Sequence, residues 1–219
     1  MPRKHLDVLQ GARADQPAIL ELGHVLAAEP RTGSPGVFLR SGDQTVLNSA
    51  SKGGGMRTAR CSCGSVEIEA FGTPITSVVC YCDTCQKGSR QIEALTNAVP
   101  ILGPDGGTAY ILYRKDRIKY SKGAELLKGY KIEEKSTTSR VVATCCNSAM
   151  VMRFDDAKHW VPVYRARFQG DIPPLQWRIC TKFKPENAGV PTDIPSSVMY
   201  PAGFMWKLLA SKLSMLFSR

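Results

Sequence analysis

The residues of this chain whose types and spacing could do chemistry are its eight cysteines, set as Cys61-x-Cys63, Cys80-x-Cys82-x-x-Cys85, Cys145-Cys146 and a lone Cys180. Zinc prefers thiolates in tetrahedral geometry, and closely spaced cysteines suit it because a tight turn aims two sulfurs at one point. Cys61-Ser62-Cys63 runs into Gly64, which permits such a turn ahead of an alternating stretch that begins near Val66. The triple element follows an apolar run at 75–79, so it is expected where a strand ends in a knuckle. Cys145-Cys146 again follows a β-type run. Four thiolates close a structural zinc site, whereas three leave a position for water or substrate. Cys80, Cys82 and Cys85 are therefore the candidate open site. Cys61 and Cys63 need partners from elsewhere in the chain, and Cys145 and Cys146 can provide them. The expected cofactor is Zn2+, one or two ions per chain. His5, His24 and His159 stand outside these motifs, and Cys180 reads as a buried structural cysteine.

Metal chemistry takes precedence over disulfides because the expected compartment is cytoplasmic. No apolar run follows Met1-Pro2-Arg3-Lys4, as a secretory signal would require, and Asp7, Asp15 and Glu21 do not suit a mitochondrial transit peptide. No stretch approaches the ~20 apolar residues of a spanning helix. The formal net charge of +10 favours acidic partners, yet the excess is dispersed: residues 114–135 hold eight Lys/Arg against four Asp/Glu. No aromatic-basic signature of an RNA-binding module is present, so nucleic acid ranks low among partners.

The elements that must position the cysteines read as mainly β. Val66, Ile68 and Ala70 alternate with Glu67 and Glu69, the period of a half-buried strand. Further β-type runs lie at 75–79, 109–113, 117–120, 126–132, 139–143, 149–154 and 161–168, with glycine and proline between many of them. Three segments are expected. Residues 1–56 form a flexible N-terminal extension with a short helix around 18–28. Residues 57–184 form a zinc-binding β domain, and 185–219 a proline-rich linker and a C-terminal amphipathic helix. In that helix Lys207, Ser211, Ser214 and Ser218 share one face, with Trp206, Leu209, Leu213 and Leu216 mostly opposite. The apolar face is expected to pack on its own domain or a sister chain, with peripheral membrane contact as the alternative.

The order RCSCGSVEIEA at 60–70, VCYCDTCQKGS at 79–89, GGTAYILYRKDRIKY at 106–120 and RVVATCCNSAM at 140–150 resembles the glutathione-dependent formaldehyde-activating enzyme family, which includes centromere protein V. The CYCDTCQ and CCNSA forms look most like a less characterised branch. The resemblance implies a small zinc-stabilised β-rich fold with two metals. Cys61 and Cys63 would join the late cysteines around a structural zinc, and Cys80, Cys82 and Cys85 would hold the zinc with an open position. It also implies a carbon–sulfur lyase-type activity on glutathione or other thiol adducts of small aldehydes, with glutathione as co-substrate. Lys87, Arg90 and Arg114 are candidates for meeting glutathione's carboxylates. The chain departs from the family pattern in two places. The late element is usually C-x-x-C-G, and its first cysteine falls on Ala143; Tyr81 stands where many members carry histidine. The alternative function is a non-enzymatic, zinc-stabilised binding module for an acidic partner.

Overall fold

The computed structural model describes residues 55–217. The helix expected around 18–28, and the N-terminal extension up to residue 54, lie outside the described residues. In chain order the elements are β1 (Arg57–Arg60), β2 (Glu67–Ala70), β3 (Thr76–Cys80), α1 (Asp83–Glu93), β4 (Thr108–Arg114), β5 (Ile118–Lys122), β6 (Leu127–Lys131), β7 (Thr138–Ala143), β8 (Ser148–Phe154), β9 (Trp160–Tyr164), β10 (Trp177–Ile179) and α2 (Ala202–Leu216). Two sheets result, one of three strands in the order β1-β2-β5 and one of seven in the order β10-β3-β4-β9-β8-β7-β6. Every named pairing is antiparallel except β10 with β3. The mainly β architecture expected from the strand patterning is the observed one.

Alternation along the central strands divides the interior in two. Ile111 and Tyr113 of β4, Val141 and Ala143 of β7 and Val163 of β9 face the small sheet, where they meet Ala59, Ile68 and Ala70. Tyr110 and Leu112, Val142, and Tyr164 point from the same strands to the opposite face, toward Ile92 of α1 and Phe204 and Leu208 of α2. Side chains at successive strand positions must point to opposite faces, so one large sheet supplies both cores. Cys61 belongs to the first core, and Cys80 and Cys85 to the second.

The knuckle expected at 80–85 continues into an unanticipated helix. Cys85, Ser89 and Ile92 recur at helical spacing on the buried face of α1, and Asp83 lies in the first turn, where a carboxylate favours the helix dipole. The proline-rich stretch after Lys184 runs back along β10: Arg178 N–H donates to the Pro195 carbonyl, and Ser197 N–H to the Arg178 carbonyl.

The C-terminal helix forms as expected but packs with its polar edge inward. Phe204 and Leu208 are buried, each contributing roughly 1.5–3 kcal/mol. Between and beyond them Lys207 donates to Gln176 Oε1 at 2.6 Å, Arg114 Nη1 to Ser214 Oγ at 2.8 Å, and Ser211 Oγ meets His159 Nε2 at 2.7 Å. Trp206, Leu209, Leu213 and Leu216, expected to pack, are exposed. The domain beneath offers hydrogen-bonding groups along most of that contact, so the serines rather than the leucines find partners there. Among the described residues no helix is long and apolar enough to cross a membrane.

His159 ties the attachment of α2 to pH. Burial lowers its pKa from 6.5, helped by the Lys212 and Arg114 charges and opposed by a hydrogen bond that the ring donates to the Leu208 backbone and by Asp116. The folded state therefore takes up the proton at a lower pH than the unfolded chain does. The stability it contributes is present above pH 6.5 and declines as pH falls through the folded pKa. Amide exchange of α2, corrected for intrinsic rate, should speed up relative to β8 as pH falls from 7.5 to 5.5, and His159→Gln should remove the difference. Unchanged relative protection in the native chain would contradict this.

Candidate metal centres

The sulfurs gather into two groups. Cys61, Cys63, Cys145 and Cys146 form one and Cys80, Cys82 and Cys85 the other, with all ligand atoms in each within 4.8 Å of one another. The sequence elements thus meet in the combination expected, with the Cys145-Cys146 pair joining the first.

In the first group Gly64 adopts φ 75°, a left-handed conformation natural to glycine, and its N–H donates to the Cys61 carbonyl. This turn brings Cys63 back beside Cys61, and the Val66 N–H donates to Cys61 Sγ at 3.2 Å. The opposite side is the four-residue hairpin loop between β7 and β8, closed with Asn147 at φ 53°. Asparagine tolerates that region better than most residues, and the loop turns both adjacent cysteines toward the β1–β2 turn. Sulfur separations are 3.6 Å for Cys61–Cys63, 3.9 Å for Cys61–Cys145, 3.3 Å for Cys63–Cys145 and 3.9 Å for Cys145–Cys146. Four sulfurs at 2.3 Å from a tetrahedral zinc would stand about 3.8 Å apart, so the donor set fits the metal. Cys145 supplies the sulfur that Ala143 cannot.

Buried polar groups back this cluster. Ser148 Oγ meets Cys146 Sγ at 3.2 Å, donates to Ser62 Oγ, and accepts from Ser62 N–H and from Arg167 Nη1. Burial acts to raise the Cys146 thiol, but hydrogen bonds from Ser148 and Ser62 outweigh it and bring it down to about 5. Arg167 is itself buried, and the Cys146 and Cys61 sulfurs help to keep its charge.

The second group lies on the helical face of the large sheet. Cys80 ends β3, Cys82 is the N-cap of α1 and Cys85 lies in its first turn. A thiolate at a helix N-terminus is favoured by the dipole. Tyr110 Oη donates to Cys85 Sγ at 3.7 Å, and Thr84 Oγ1 lies 3.2 Å from Cys82 Sγ. Contacts with Cys80 and Cys85 pull Cys82 down to about 2, while Cys80 is pushed up, first by Cys180, then by Cys82 and Cys85, and by burial. The cluster thus concentrates negative charge on Cys82. Cys180 is buried as expected, with φ 58°, and its thiol bears on Cys80.

Arg140, on β7, is a participant that sequence reasoning missed. It is 1% exposed; Nη2 donates to the Thr84 carbonyl at 2.5 Å and Nη1 to Thr138 Oγ1 at 3.0 Å. Its guanidinium thus holds the Cys82–Cys85 turn from behind. A threonine-serine-arginine strand start resembles many edge strands, so nothing in the sequence marks it. Lys87, Arg90 and Arg114 do not take the expected place. Arg90 donates to Gln86, Arg114 is bound to Asp116 and Ser214, and the cations lining the adjoining cavity are Arg140 and Lys158. Tyr81, in the histidine position of the family pattern, points away from the cluster. Its hydroxyl donates to Asp105 at 2.6 Å and accepts from Arg178, bracing β3 and β10 against the loop at 103–107.

Residues 56–100 match the family model described as glutathione-dependent formaldehyde-activating enzyme, GFA. Over those residues the chain is similar to the GFA family. The matched segment holds the β1–β2 turn of the first cluster and all three sulfurs of the second. No curated protein matches the chain. Among solved structures, a Rhodobacter sphaeroides protein is 17% identical, with 64% of this chain and 99% of that chain covered and a TM-score of 0.39. The two clusters of this GFA-like chain could hold zinc, one through four thiols and the other through three.

Gly88, in the middle of α1, is explained by Arg140. A Cβ there would lie 2.3 Å from Nε and 2.8 Å from Cζ of that guanidinium. An interior helix Gly→Ala change ordinarily gains about 1 kcal/mol. Gly88→Ala should instead lower the melting temperature, and loosen metal binding at the three-thiol cluster by displacing Arg140 from Thr84. A rise in melting temperature with unchanged metal affinity would refute that role.

Proposed function

We propose that this protein is a zinc-dependent, carbon–sulfur lyase-type enzyme that splits, or in reverse forms, thiol adducts of small aldehydes. The observation that carries the reading is the three-thiol cluster, Cys80, Cys82 and Cys85, at the wall of a cavity of 360 Å³. Three protein ligands leave one position of a tetrahedral zinc open. Zinc bound there would supply a Lewis acid and favour the thiolate form of an incoming thiol. The four-thiol cluster would hold a second zinc with a structural role, joining the β1–β2 turn to the β7–β8 hairpin.

In the synthetic direction the thiol sulfur attacks the aldehyde carbon. A C–S bond forms, the C=O π bond breaks, and the thiol proton ends on the former carbonyl oxygen. Cleavage is the reverse, so neither direction needs an oxidant or reductant. The chain's own residues provide the setting. Tyr110 Oη and Thr84 Oγ1 hold Cys85 and Cys82 in place, and the buried Arg140 offsets part of the net negative charge of three thiolates on one divalent ion. The apolar walls formed by β4, β8, β9 and α2 keep water from the reacting carbon.

Proton NMR exchange spectroscopy on formaldehyde with glutathione, and with a small uncharged thiol, tests this. Zinc-loaded protein should accelerate adduct exchange over the protein-free rate with at least one thiol. Cys82→Ser should lose about 10²-fold or more of that acceleration while keeping the zinc of the other cluster. No acceleration with either thiol would reject the enzyme and favour a zinc-stabilised binding module.

A further inference from the structure

We infer that the thiol accepted at the three-cysteine site is a small apolar one, bound with its hydrocarbon tail in the cavity, and that glutathione is a poor occupant. This deepens the function proposed above and rests on it. The cavity is walled by Leu112, Met152, Phe154, Trp160, Ile179 and Leu208, with the sulfurs of Cys80, Cys82 and Cys85 at one side. No carboxylate and no side-chain amide is among its lining residues. Its two cations are already engaged, Arg140 by the Thr84 carbonyl and Thr138, Lys158 by Asp156.

Glutathione brings two carboxylates and an ammonium group. The ammonium would find no carboxylate among the lining residues, and the two carboxylates would have to share a buried guanidinium already bound to Thr84 and Thr138 and a lysine already paired with Asp156. Stripping water from such groups without compensation is costly.

The entrance matches the interior. Tyr200 and Met205 both line the cavity and are 50% exposed, and Trp206 and Leu209 extend the apolar surface along α2. The polar edge of α2 is bonded to the domain, so the helix holds its apolar side chains around the mouth, where an apolar thiol would enter.

The experiment uses the full chain with cobalt in place of zinc, whose visible absorption bands report a new sulfur ligand. It is titrated with propanethiol, butanethiol, pentanethiol, hexanethiol and glutathione. Affinity should rise about three- to fourfold per added methylene, as for transfer of CH2 out of water. Hexanethiol should bind more than tenfold tighter than glutathione, and Met205→Glu at the mouth should reduce that preference. Calorimetry of the Cys82→Ser chain, which keeps the metal of the four-cysteine cluster, with the corresponding alcohols reports the cavity alone. Cobalt bands that respond to thiols, with no dependence on chain length or a preference for glutathione, would overturn this inference and leave the enzyme proposal standing. Bands that no thiol moves, with a normal dependence on alcohol length, would instead reject the open metal site.

Discussion

Seven sulfurs drawn into two groups within 4.8 Å of one another create the constraint on which the rest of the structure depends. Thiolates cannot be packed so closely without a counter-charge, and protonated thiols lack the affinity for one another that would justify collecting them from three separate segments. The fold supplies part of the answer in two buried arginines, Arg167 behind the first cluster and Arg140 behind the second. Neither sits in a salt bridge with a carboxylate among the described residues. A divalent metal bound at each cluster would supply the remainder. Four thiolates on zinc carry a net charge of minus two and three carry minus one, so a nearby guanidinium helps in each case.

The seven-stranded sheet separates the two tasks. On the face covered by the small sheet, the four-cysteine group joins two turns far apart in sequence, which the β1–β2–β5 sheet alone would hold weakly. On the other face no second sheet is present among the described residues. α1 begins at the cysteines and α2 closes from the side, and the space between them and the strands remains as the cavity. The four-thiol group thus coincides with a filled interface and the three-thiol group with accessible volume. That correspondence supports the chemistry proposed for the second cluster.

Much of this was legible in the sequence because it follows from local spacing. The C-x-C-G turn, the C-x-C-x-x-C element and the alternation of Val66, Ile68 and Ala70 depend on neighbouring residues, and the structure places all three as read. The start of α1 was hidden because Gly88 and Ser89 are weak helix formers; the glycine is there for Arg140, a residue about fifty positions away. The orientation of α2 was hidden for a related reason. Hydrophobic patterning identified two faces, but which one packs depends on His159, Arg114 and Gln176 beneath it. That Cys145 and Cys146, adjacent in sequence, reach one centre depends on the hairpin loop that Asn147 closes at φ 53°.

X-ray absorption at the zinc edge, with metal content measured on the same reduced sample, tests the central claim most directly. Two zinc ions per chain, with an average of about 3.5 sulfurs and the rest of four-fold coordination filled by oxygen or nitrogen, is the result this account requires. One zinc per chain would contradict it because one of the two clusters would then hold no metal, and four sulfurs on every ion because no open position would then exist at Cys80, Cys82 and Cys85.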